Sequence, residues 1–183
     1  PPAPFDDLHP RPQVRREGCW HNLNGVWNFT VQPINTFTSG SPPAELNVPL
    51  SLDPEFRRAI EWESITVPFP IESIASGISR KIASEEVAYY QRTVVVPEGS
   101  DSAWRLHFAG CDWLCAVFVD GKQLNFHAGA YDPFFVPITP GTHDVVVVSW
   151  DPTDAGCPWK YKGGCDKSYQ PRGKQSLRPG FIM

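Results

Sequence analysis

The sequence predicts an antiparallel all-β fold, and three observations carry that reading. First, from Val87 to Phe135 the runs Val87–Pro97, Trp104–Trp113 and Ala116–Val119 are rich in β-branched and aromatic residues. They are separated by Pro-Glu-Gly-Ser-Asp-Ser, Gly-Cys-Asp and Asp-Gly, which are turn compositions and not helix interiors. Second, Asp120-Gly121 stands between Val117–Val119 and Leu124–Phe126. A two-residue type I′ hairpin turn needs positive φ at both central positions, and Asp-Gly supplies it. Third, 20 Pro and 14 Gly in 183 residues argue against long helices and for many short strands.

The elements follow in order. Residues 1–18 form an arm whose Pro1, Pro2, Pro4, Pro10 and Pro12 exclude helix and favour extended backbone; residues 19–183 are expected to form one sandwich domain. Asn24-Gly25 turns the chain into a first strand. Trp27, Phe29 and Val31 alternate with Val26, Asn28 and Thr30, so the first three are assigned to a buried face. Asp53–Ile60 is the one convincing helix, with Asp53 as N-cap and Pro54 at the first helical position. Ser64–Glu72 is extended, and its prolines place it at an edge or crossing. Ser73–Ser84 reads as loop with Gly77 as a turn, and Pro140–His143 as a turn. In Asp144–Trp150, four consecutive valines without polar alternation describe a strand covered on both faces. Ala155–Gln175 is a long loop, a class that is often functional.

Composition excludes several function classes. The net charge is −4 with no long basic run, so nucleic acid is not expected as a partner. No run approaches the roughly 20 apolar residues of a membrane span. His9, His21, His107, His127 and His143 are scattered, and no Cys or His pair follows Cys111 and Cys115 at a ligand interval, so neither a metal nor a cofactor is expected. Cys111 and Cys115, if on one continuous strand, would lie about 13 Å apart, beyond the roughly 7 Å Cα limit for a bridge; they are expected to be reduced and buried. Cys157 and Cys165 bracket a short loop and are expected to pair. Asn28-Phe-Thr30 is an N-glycosylation acceptor pattern. With a loop disulfide and a first residue other than Met, it points to a secreted protein.

Several segments then occur in a telling order: Trp20–Phe29, Ile65–Ser73, Tyr89–Thr93, Phe118–Phe134, Asp151–Asp154 and Gly173-Lys-Gln175, preceded by His9–Gln13. This ordered set resembles the N-terminal sugar-binding domain of family 2 glycoside hydrolases, the β-galactosidase and β-glucuronidase group, over nearly all of residues 9–182. The resemblance implies a galactose-binding-like jelly roll, followed in such enzymes by an immunoglobulin-like sandwich and a TIM barrel that carries both catalytic glutamates. No catalytic residue is therefore assigned here; Glu61, Glu63, Glu72, Glu85 and Glu86 read as loop or strand-edge carboxylates. Against the family pattern the chain stops before the last strand, so an edge beside Val145–Val148 is expected to be covered by further polypeptide or by a partner chain.

The candidate carbohydrate contacts are Asp151, Asp154, Trp113, Trp159 and Tyr161. A carboxylate accepts several sugar hydroxyls, and an aromatic ring offers a flat face at low entropic cost. Asp151-Pro-Thr-Asp154 is equally good turn chemistry, and the aromatics equally good packing. Arg92 reads as a structural ion pair, and Lys174 and Gln175 as architectural. Two functions stay open: a non-catalytic accessory domain of a glycoside hydrolase, and a stand-alone carbohydrate-binding or structural module in an extracellular assembly.

Overall fold

The computed structural model describes residues 20–34, 52, 54–83, 85–98 and 103–151. Among the described residues eight strands build an all-β sandwich: β1 (Gly25–Pro33), β2 (Glu63–Val67), β3 (Glu86–Val96), β4 (Trp104–Phe108), β5 (Leu114–Val119), β6 (Lys122–Ala128), β7 (Phe134–Ile138) and β8 (Gly141–Trp150). A six-stranded antiparallel sheet runs β2-β1-β3-β8-β5-β6, and β4 pairs with β7 as the second layer. The chain leaves the large sheet after β3 for β4, returns to it for β5 and β6, crosses again to β7, and comes back for β8. One helix, α1 (Pro54–Ala59), sits where the sequence places it, and Ile74–Ser76 makes a single 3₁₀ turn closed by Gly77. The Asp53 cap lies outside the described residues.

Alternation of apolar side chains builds two packed faces. Trp27, Phe29, Ile65, Val94, Cys115, Val117, Val145 and Val147 point toward the small sheet, where Leu106, Phe134, Val136 and Ile138 meet them. On the opposite face Val87, Tyr89, Leu114, Ala116, Phe118, Val146, Val148 and Trp150 form a second cluster with Ile34 and Leu52. Burial on both faces explains the unbroken valine run of β8. It also explains a departure in β1, where Thr30 is buried and Val31 only half-buried. Thr30 belongs to the second packed face, so strict alternation between buried and exposed does not hold there.

The hairpin turn forms as expected, with Asp120 at φ 53° and Gly121 at φ 83°. One expectation is overturned. β8 is not an edge: it is hydrogen-bonded to β3 along one side and to β5 along the other. Among the described residues the edges of the large sheet are β2 and β6. A local apolar pattern reports that a strand is central but not which neighbours flank it, so the edge expected beside the most apolar strand is instead occupied on both sides.

Candidate functional site

The chemistry-bearing residues gather at one corner, where β8 ends and β5 begins. Leu114 pairs with Trp150 across the ladder, which sets the residues just outside it side by side. The Trp113 amide donates to the Trp150 carbonyl (3.2 Å), and the Gly129 amide donates to the Trp113 carbonyl (2.9 Å). The Ser149 hydroxyl donates to the Asp112 carbonyl (2.6 Å). Trp113 and Asp151 are therefore brought together, both half-buried. Trp113 packs against the second core cluster, so the ring is part platform and part core. Asp154, Trp159, Tyr161, Cys157, Cys165, Lys174 and Gln175 lie outside the described residues.

Cys111 and Cys115 are bonded to each other, with Cα atoms 6.1 Å apart. This corrects the expectation that both are reduced. The chain does not run as one strand through them, because β4 stops at Phe108 and β5 begins only at Leu114. The bend between brings the two Cα atoms within bridging range. Gly110 helps to make that bend: a Cβ there would sit 2.8 Å from the Ala130 carbonyl oxygen, so only glycine lets the two loops approach this closely.

Glu72 is the residue sequence reasoning missed. Read as an edge carboxylate, it is 8% exposed. Burial pushes its carboxyl above the usual range; a backbone hydrogen bond and the Lys81 charge oppose this, and Asp112 adds to it. Tyr90, on β3, keeps some residue surface, yet its phenol is enclosed. Desolvation pushes it up, and the Glu72 charge pushes it further. The only signal in the sequence is position: Glu72 lies in Ile65–Ser73 and Tyr90 in Tyr89–Thr93, two segments of the ordered set. A desolvated carboxyl near a second carboxylate and a phenol binds its proton more tightly than an exposed one.

Arg92 makes a different contact from the one expected. Its guanidinium donates to the carbonyls of Leu23 and Asn24 and lies over the Trp27 ring, 5.8 Å from the centroid. Carbonyl oxygens take the place of the carboxylate, because the Asn24-Gly25 turn leaves them without ladder partners. Asn28 is exposed on β1, and its amide donates to the Gln91 side chain. Gln91 in turn donates to Asp144. A shallow open cleft between β1 and the end of α1, lined by Thr30, Gln32, Ala59, Ile60 and Glu61, contains none of the predicted site residues. Among the described residues no group of three His, Cys, Asp or Glu is placed to hold a metal ion, and no helix is long and apolar enough to cross a membrane.

No protein-family model matches the chain, and no curated protein matches it. Solved structures to which it is similar include a β-glucuronidase from Faecalibacterium prausnitzii, at 20% identity over 70% of this chain and 20% of that one, with a TM-score of 0.48. A β-glucuronidase from an uncultured Clostridium species matches at 15% identity over 74% of this chain and 22% of that one, TM-score 0.48. A GH2 β-galacturonidase from Eisenbergiella tayi bound to galacturonate matches at 26% identity over 68% of this chain and 17% of that one, TM-score 0.40. The chain spans about a fifth of the length of these solved chains.

Proposed function

We propose that this chain is a non-catalytic accessory sandwich of a family 2-like glycoside hydrolase, which presents the Trp113–Asp151 corner to carbohydrate while a barrel elsewhere in the native polypeptide performs the hydrolysis. The observation that carries this reading is the packing of separated segments into one block. Arg92 ties Tyr89–Thr93 to Trp20–Phe29 through the Leu23 and Asn24 carbonyls. Gly25–Phe29 pairs with Glu63–Val67, and Glu72 reaches Tyr90 electrostatically. Segments that are ordered in sequence as in the hydrolase domain are thus also adjacent in space. Extracellular location and a glycan on Asn28 belong to the same reading, supported by the exposure of that side chain and by the Cys111–Cys115 bond.

Hydrolysis by a retaining glycosidase needs two carboxyl groups about 5 Å apart across the scissile bond, one as acid and one as nucleophile. Asp112 and Asp151 stand at this corner, and Glu72, which reaches Asp112 electrostatically, is buried. The corner is thus suited to holding hydroxyls and not to displacing an aglycone. The test is turnover of aryl β-D-glucuronides and β-D-galactosides by this chain alone and by the full native polypeptide. Turnover is expected only from the latter, and its KM should rise about tenfold on Trp113→Ala or Asp151→Asn, equivalent to about 1.4 kcal/mol. Turnover by the isolated chain that vanishes on Glu72→Gln would overturn the reading.

A further inference from the structure

We propose that the Cys111–Cys115 bond is a thiol-sensitive clip that positions the Asp112-Trp113 loop at the corner of the sandwich, and that opening it releases this loop without unfolding the core. Three features lead here. The bond ties Cys111, in the segment between the end of β4 and the start of β5, to Cys115 on β5, so that Asp112 and Trp113, which belong to no strand, lie inside the loop it closes. Its two residues differ in access: Cys115 is fully buried on β5, whereas Cys111 is only half-buried. The two residues between them that carry the corner chemistry are tied to the sheet by the Ser149 bond to the Asp112 carbonyl and by the two amide bonds through Trp113.

The chemistry balances with an external dithiol as reductant. Its thiolate attacks the more accessible Cys111 sulfur, a sulfur–sulfur bond forms, and Cys115 leaves as thiolate. The second thiol of the reductant then attacks the mixed disulfide and expels Cys111. Two electrons pass to the protein, the reductant closes as its own disulfide, and the two cysteines take up protons. Cys115 stays in the core as a small apolar residue, so β5 keeps its packing. Cys111 is freed, and with it the tether on Asp112 and Trp113. The consequence for carbohydrate rests on the function proposed above, but the loop release itself is measured without any sugar.

The experiment uses the chain purified without reductant. Peptide mapping after denaturing alkylation with iodoacetamide should find Cys111 and Cys115 unmodified, and both modified after dithiothreitol. Hydrogen exchange on the reduced native protein should then show the Trp113 and Gly129 amides exchanging at least tenfold faster, with the Val146–Val148 amides changed less than twofold. The Cys111→Ala/Cys115→Ala variant should reproduce the reduced pattern. Alkylation of either cysteine before reduction, unchanged exchange at Trp113 and Gly129, or faster exchange through β8 would each overturn the proposal; the reduced natural chain decides the matter even if the double variant fails to fold.

Discussion

His143 shows how far single side chains can be read from their partners. Its Nδ1 lies 2.7 Å from an Asp120 carboxylate oxygen and its Nε2 lies 2.9 Å from the Thr139 carbonyl. Both partners are acceptors, so the two contacts favour the doubly protonated ring, in which both nitrogens donate. The Asp120 hydrogen bond, chiefly, raises the His143 pKa above its ordinary value. A raised folded pKa contributes stability that is full below the unfolded value of about 6.5 and is lost as pH rises through the folded value. The melting temperature should therefore fall across neutral pH into the mildly alkaline range, and His143→Gln should remove that slope. Glu72 acts with the same sign through a different cause. Its carboxyl is raised by burial, so the folded state is penalised as pH climbs past the ordinary carboxylate range. Glu72→Gln should raise stability at pH 7 relative to the natural chain and leave it little changed near pH 4, measured by denaturant unfolding at both values. Neither residue announced its role in the sequence: His143 stood in a turn and Glu72 at a strand edge, and only the tertiary fold supplies an acceptor for one and encloses the other.

At the scale of elements the sequence was far more legible. The hairpin at Asp120-Gly121 and the short helix after residue 53 lie where turn chemistry places them, whereas β8 already begins at Gly141, within the segment Pro140–His143 expected as a turn, and β4 ends at Phe108, short of Trp113. These signals are local, and local physics decides them. With Gly121 at φ 83°, Gly121→Ala should cost about 1 to 2 kcal/mol. Truncation of Trp150, buried on the second face and joined to Trp113, should cost about 3 to 5 kcal/mol, which a thermal or denaturant titration would register. What failed was non-local. The bend that lets Cys111 reach Cys115 depends on Gly110 passing the Ala130 carbonyl, a contact between loops that the sequence spaces twenty residues apart. A bond closing so short a loop is worth about 2 kcal/mol through the unfolded state. The position of β8 between β3 and β5 failed for the same reason, since strand order is set by pairing across the whole chain.

At the scale of the whole molecule, the described residues form a large sheet packed on both faces. The paired ends of β5 and β8 hold Trp113 and Asp151 at a fixed place on the sheet. The central claim is that this sandwich works as part of a larger hydrolase, and the native polypeptide's intact mass, taken together with its aryl glycoside turnover, tests it most directly. A mass several-fold above the 20.5 kDa of this chain, with turnover that the isolated chain lacks, is the predicted result. A native polypeptide of about this chain's own mass that binds carbohydrate and hydrolyses nothing would contradict the claim.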